Sequence, residues 1–320
     1  MTEPLLIQHH PHSSAVARDM AERGTILCVQ VGSGVHGTAI SGQDDRDEMG
    51  ICLEPREYVT GVSQVPSRGS EEPASIPFDQ YEYHSAWERD GGLANRSGAG
   101  DLDVIIYGAR KWVRLALGGN PTVLLPLFVP EDEIVVATDA GHELRANADR
   151  IASRRAAERF LGYMVSQRRA MTGESGAHTN RPELVEEFGY DCKFAMHALR
   201  LGVQGKEYLM TGRITLPIPE PDLAALREVR RGEWELPAVL EWAERLEADL
   251  RTLAETSPLP EQPDLDWVND WLHRSYTAFW GGRETSRRIR PQLTDSCGAA
   301  HPVHDDAPGD RPRVPAAQAP

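Results

Sequence analysis

Four cysteines in 320 residues, Cys28, Cys52, Cys192 and Cys297, form no C-x-x-C pair. Zinc is therefore not expected, and the scattered thiols read as the reduced cysteines of a cytoplasmic protein rather than as a disulfide framework. Long apolar runs are also missing. None approaches the roughly 18 residues needed to cross a bilayer, so no membrane partner is expected. The first residues lack the basic-then-apolar order of a secretory signal. Basic charge is scarce: 34 Lys and Arg stand against 49 Asp and Glu, a net charge of −15. That balance argues against a broad nucleic-acid-binding surface, because phosphate neutralisation supplies most of such affinity. It leaves room for a local groove, and residues 151–213 carry 10 basic against 7 acidic side chains. No internal repeat is present.

What the chain does have is concentrated between residues 26 and 53. The apolar run Ile26-Leu27-Cys28-Val29-Gln30-Val31 reads as a strand and leads into Gly32-Ser33-Gly34-Val35-His36-Gly37-Thr38. This run matches G-x-G-x-x-G, but a dinucleotide site would need a long amphipathic helix opening inside the glycines and an acid about 20 residues on. Here Ser41-Gly42-Gln43 breaks any helix early, and the acids Asp44, Asp45, Asp47 and Glu48 arrive at once. Asp45 and Asp47, two apart on a strand, point the same way. Both can reach one divalent ion, and Mg²⁺ takes carboxylate, phosphate and water oxygens. The glycines bring backbone N–H groups close to a phosphate without a Cβ in the way. The chemistry that needs this combination is metal-assisted transfer of a phosphorus group.

The run Gly32 to Gly50, of the form G-S-x-x-x-G-T…D-x-D-x-x-G, resembles the DNA polymerase β-type nucleotidyltransferase superfamily. Within it the chain resembles an RNA-repair-associated branch found in bacteria and their phages. The likeness continues through Asp101-Leu102-Asp103-Val104-Ile105-Ile106-Tyr107, Arg110-Lys111-Trp112, Gly119-Asn120-Pro121 and Tyr190 to Arg200. The resemblance implies an α+β fold: a polymerase β-like mixed sheet flanked by helices, followed by a mainly helical C-terminal domain. It implies a third carboxylate on a neighbouring strand, for which Asp103 is the choice and Asp101 the fallback. The interval from Thr38 to Asp45 is a residue longer than the branch pattern, which keeps Asp44 as an alternative ligand. Asp45, Asp47 and Asp103 are thus the expected catalytic and metal-binding residues, for two Mg²⁺ ions with Mn²⁺ as a substitute. Gly32, Ser33, Gly37 and Thr38, in a flexible loop, are the expected nucleotide-binding residues.

A second group lies on a later helix. Lys193, His197 and Arg200 are spaced to share one face, and a cationic stripe there would bind the triphosphate of an NTP. Lys111 is either catalytic or a solvated helix residue. His178-Thr179-Asn180-Arg181-Pro182 is a further polar loop within reach of substrate, and His9-His10-Pro11-His12 reads as a loose leader segment.

The expected organisation is a leader over 1–25, ending in a short helix, and a catalytic domain over 26–140. That domain carries an insert at about 66–100, either a mobile lid or a hairpin around 78–83. A helical domain over 141–282 and a disordered tail over 283–320 follow. The activity implied is transfer of a nucleoside monophosphate from an NTP to an acceptor hydroxyl, with an RNA or tRNA end as the leading acceptor. Two alternatives stand beside it: a protein-modifying, AMP-transferring enzyme of toxin–antitoxin type, and a catalytically silent nucleotide-binding module.

Overall fold

The computed structural model describes residues 10–40, 42, 44–66, 75–172, 181–282 and 287–288. Helix α1 (Ala15–Gly24) opens where the Ser14 side chain accepts a hydrogen bond from the Ala17 amide, satisfying a donor that has no partner within the helix. It is the short helix expected at the end of the leader. Its buried residues Ala17, Met20 and Ala21 follow helical spacing. They pack on one face of a sheet with Cys52, Tyr81, Val104 and Ile106.

The sheet is built from β1 (Thr25–Val31), β2 (Arg46–Cys52), β3 (Gln80–His84), β4 (Leu102–Gly108) and β5 (Ile134–Ala137), in the order β3-β4-β2-β1-β5. Arg287–Arg288 pairs with the outer edge of β5. β1 lies inside the sheet because Ile26, Leu27 and Val29 are apolar in near-continuous sequence and are all buried, the pattern of a strand covered on both faces. β2 and β4 run parallel, while the β1–β2, β1–β5 and β3–β4 pairs are antiparallel. Asp47 and Asp103, each the second residue of its parallel strand, pair in register and so meet at one end of the sheet.

The connection from β2 to β4 contains the insert. Its described residues 75–100 do not stand off as a lid: they supply edge strand β3 and two short 3₁₀ turns. Residues 67–74 lie outside the described residues. Helix α3 (Ala109–Leu117) leaves β4 and buries Trp112 completely on the sheet face opposite α1. Helix α4 (Asp139–Ala146) follows β5, with Thr138 accepting from the Gly141 amide.

The remaining helices are α5 (Ala156–Thr172), α6 (Pro182–Phe188), α7 (Cys192–Thr211), α8 (Asp222–Arg230), α9 (Leu236–Thr256) and α10 (Leu265–Trp280). α7 lies close to α5 and α9 because two of its residues have no side chain. A Cβ at Gly205 would sit 2.8 Å from Phe160, and one at Gly202 2.8 Å from Leu246, closer than packed carbons tolerate. The larger of two hydrophobic clusters among the described residues runs from Ile26 and Trp112 through Phe160 and Leu199 to Trp271. Among the described residues no helix is long and apolar enough to cross a membrane. Cys28, Cys52 and Cys192 are buried and unpaired. The expected disordered tail lies outside the described residues except for Arg287–Arg288, as do residues 1–9 of the leader and His178-Thr179-Asn180.

Candidate active site

The glycine run after β1 is not an open loop. Gly32–His36 forms a single helical turn, α2, and Gly37 ends it in the left-handed conformation at φ 79°. Gly37 and Thr38 donate from their amides to the Gly34 and Ser33 carbonyls. The long helix that a dinucleotide site requires is therefore absent. Gly32 itself has φ 79°, and a Cβ there would lie 2.0 Å from Asp47 Oδ2. The strand register explains this approach, since Val31, the residue before Gly32, pairs with Asp47 across β1 and β2.

The same register assembles the carboxylates. Asp47 on β2 pairs with Asp103 on β4, and partners in a ladder present their side chains on one face. Asp45, two residues before Asp47, joins them: one carboxylate oxygen from each of Asp45, Asp47 and Asp103 lies within 4.8 Å of the others. Burial, then the charges of Asp45 and Asp103, push the Asp47 pKa up to about 6. Three hard oxygen donors converging under mutual repulsion fit a divalent cation such as Mg²⁺ or Mn²⁺.

Both alternative ligands have other partners. Asp44 accepts from the Ile40 amide at 2.7 Å through one oxygen and from Arg230 Nη2 at 2.5 Å through the other. Asp101 accepts from both guanidinium nitrogens of Arg89, from Ser85 and from the Gly98 amide. Each pins a loop beside the site.

The wall opposite the turn comes from the helical part. The Asp191 side chain caps α7, accepting from the Lys193 and Phe194 amides, and so fixes Lys193 in the first turn, its Nζ 3.9 Å from Asp44. Lys193, Arg181 and Arg230 line a cleft of about 240 Å³ with Asp44 and Ile40. Arg230 is 6% exposed, and its Nε and Nη1 have no hydrogen-bond partner among the described residues. The cations Lys193 and Arg181 suit this cleft to an anion, although Glu183 and Asp44 line it too.

The expected cationic face of α7 does not act as one stripe. Arg200 points Nη1 at His36 Nε2, 2.8 Å away, and donates to Gln204 Oε1 at 3.0 Å. It braces the underside of the glycine turn instead of lining the cleft. His197 is held well below its usual pKa by burial and then by Arg200 and Lys193, so it adds no positive charge. Lys111 is at the other end of β4 from Asp103, beside Gln80, with its Nζ 3.9 Å from Asp79.

Sequence reasoning missed two partners of Asp103. The Ser97 hydroxyl donates to Oδ1 at 2.5 Å, and His84 Nδ1 lies 2.8 Å from Oδ2. Burial pulls the His84 pKa down, but the hydrogen bond and charge of Asp103 outweigh it and leave the pKa raised. His10, assigned to a loose leader, is instead seated against the Trp87 ring at 5.2 Å and Glu82 at 3.5 Å.

Residues 9–274 match the profile of RlaP, the RNA repair pathway DNA polymerase beta family. The chain belongs to that family. It is a nucleotidyltransferase, and the mixed sheet with a mainly helical C-terminal part is the polymerase β-like fold. A nucleotidyltransferase-like protein from Exiguobacterium sibiricum 255-15 is similar at 13% identity over 84% of this chain and 75% of that one, with a TM-score of 0.23. Residue roles do not transfer at that distance. A comparison with curated proteins gives no match.

The buried histidines of this RlaP nucleotidyltransferase make its stability pH-dependent. His36 and His197 are both held well below the usual 6.5, first by burial and then by Arg200. Below pH 6.5 the unfolded chain takes up protons that the folded chain refuses, so stability falls as pH falls. Each histidine contributes a slope of up to about 1.4 kcal/mol per pH unit. Urea titrations from pH 7.5 to 5 measure that slope. His197→Gln is expected to flatten it, and an unchanged slope would show that His197 does not titrate in this way.

Proposed function

We propose that the protein transfers a nucleoside monophosphate from an NTP to the terminal hydroxyl of an RNA, a tRNA end being the leading acceptor, with release of pyrophosphate. The observation that carries this reading is the convergence of Asp45, Asp47 and Asp103 within 4.8 Å, directly beneath the Gly32–His36 turn. The family's association with RNA repair supports an RNA acceptor, and the mildly basic stretch 151–213 offers it a backbone path.

In the reaction the acceptor oxygen forms a bond to the α-phosphorus, and the bond from that phosphorus to the oxygen bridging it to the β-phosphorus breaks. Pyrophosphate leaves with the electron pair. Asp45, Asp47 and Asp103 would hold Mg²⁺, which when bound lowers the pKa of the hydroxyl and neutralises charge on the leaving group. The Asp103 carboxylate, held by Ser97 and His84, would complete the metal site and help take up the hydroxyl proton. Backbone amides of the turn and the Ser33 hydroxyl hold the phosphates. Lys193 and Arg230 balance the triphosphate charge from the opposite wall. The catalytic gain comes mainly from this positioning and fixed charge.

Arg230→Lys tests the opposite wall. It keeps a cation beside Asp44 but removes the planar fork that holds this carboxylate through Nη2. Hydrogen bonds to charged groups contribute about 1.5–3 kcal/mol, so the KM for NTP should rise at least roughly tenfold with little change in kcat. An unchanged KM would remove Arg230 from the nucleotide site.

The reaction itself is tested by incubating the protein with Mg²⁺, bulk tRNA and each α-³²P-labelled NTP in turn. Label entering RNA, dependent on Asp47, is the expected result and names the base. Label entering protein would favour the side-chain-modifying alternative. Nucleotide binding with no transfer to either would favour the silent module.

A further inference from the structure

His84 stands in one transverse row of the sheet with the two strand-borne carboxylates. Asp47 pairs with Asp103 across β2 and β4, and Asp103 pairs with His84 across β4 and β3. All three side chains therefore rise from the same face. The imidazole is itself held in place: the Trp87 ring lies 4.2 Å from it, centroid to centroid, and His10 in turn lies 5.2 Å from Trp87. A carboxylate on a strand rotates over a broad range about its terminal torsion. Asp103 does not have that freedom, because Ser97 donates to Oδ1 while His84 Nδ1 faces Oδ2. Asp47, in contrast, is set by burial first and then by the repelling charges of Asp45 and Asp103, with Lys193 opposing them.

We propose that His84 is a positioning residue for Asp103, and that with Ser97 it presets this carboxylate for a divalent cation before any ligand arrives. The segment between β2 and β4 thus has a specific task, since it delivers both donors to the third carboxylate. Partners of this kind fix the orientation of a ligating group, and their loss typically costs about 10- to 100-fold in metal affinity or activity. The proposal rests on reading Asp103 as a metal ligand.

The test is Mn²⁺ binding by isothermal titration calorimetry to the full-length protein, with initial-rate kinetics alongside. The variants are His84→Ala, His84→Asn, Ser97→Ala and Asp103→Asn. His84→Ala should weaken Mn²⁺ binding about 10- to 100-fold and lower kcat, leaving the KM for NTP unchanged. His84→Asn places an N–H near the position of the imidazole Nδ1 and should recover most of both losses; Ser97→Ala should weaken binding without help from any change in β3. A His84→Ala protein that binds Mn²⁺ as wild type does, or a His84→Asn protein as impaired as His84→Ala, would overturn the positioning role. Wild-type protein that binds no Mn²⁺, or Asp103→Asn protein that binds it normally, would instead overturn the metal-ligand reading beneath it.

Discussion

Asp47→Asn is expected to lower nucleotidyl transfer on the order of 10³-fold, the scale of losing a group that stabilises transition-state charge, while making the metal-free protein more stable. The second effect follows from the carboxyl's environment. Its pKa is raised from 3.8 to about 6, by burial first and then by Asp45 and Asp103. Between those values the folded protein binds more protons at Asp47 than the unfolded chain does. The penalty is therefore absent below pH 3.8, grows as pH rises to about 6, and stays in full above that. Asparagine removes the charge, and discounting for partial solvent screening the gain at pH 7.5 is about 1–2 kcal/mol. Thermal melts in a chelator, paired with rate measurements in Mg²⁺, check both halves. An Asn variant that is less stable than wild type, or that retains activity, would mean that Asp47 is an ordinary structural carboxylate.

Gly32→Ala should disable the site from the other side. An alanine at φ 79° carries about 1–2 kcal/mol of backbone strain, and its Cβ would fall 2.0 Å from Asp47 Oδ2. The carboxylate has to move, and a displacement of about 1 Å in a reacting arrangement costs about 10²-fold in rate. Gly34→Ala provides the comparison within the same turn. There the Cβ meets the far end of the Gln30 side chain at 3.0 Å and the backbone is not left-handed, so the flexible amide can give way. Activity close to wild type is expected for Gly34→Ala and a loss of about 10²-fold for Gly32→Ala. Equal behaviour of the two variants would show that the glycines only loosen the turn.

These effects also show which parts of the molecule were legible in the sequence. The apolar runs of β1 and β4 and the two-residue spacing of Asp45 and Asp47 are local features, and each predicts its element directly. Asp103 was reachable because the resemblance implies a third carboxylate and Asp103 stands at the mouth of a buried strand, though its pairing with Asp47 is visible only in the register. Long-range partners were not legible. Arg230 meets Asp44 across a separation of 186 residues, and nothing near either one announces the other. Helical spacing put Lys193, His197 and Arg200 on one face, but it could not show that His36 sits beneath that face and engages Arg200. His84 had a weak signal: it lies one residue beyond the run Phe78–Tyr83, in phase with Gln80 and Glu82 on the more polar side. The glycine run was correctly separated from a dinucleotide motif, since its helical turn ends at Gly37, yet its compactness was unexpected.

The central claim is that Asp45, Asp47 and Asp103 together hold the divalent ion on which transfer depends. Anomalous diffraction from crystals grown with Mn²⁺ and a non-hydrolysable NTP tests it most directly. The expected result is an Mn²⁺ peak within coordination distance of all three carboxylates, with the triphosphate passing from the Gly32–His36 turn toward Lys193 and Arg230. Nucleotide bound in that cleft while Mn²⁺ is held elsewhere, or by none of the three, would contradict it.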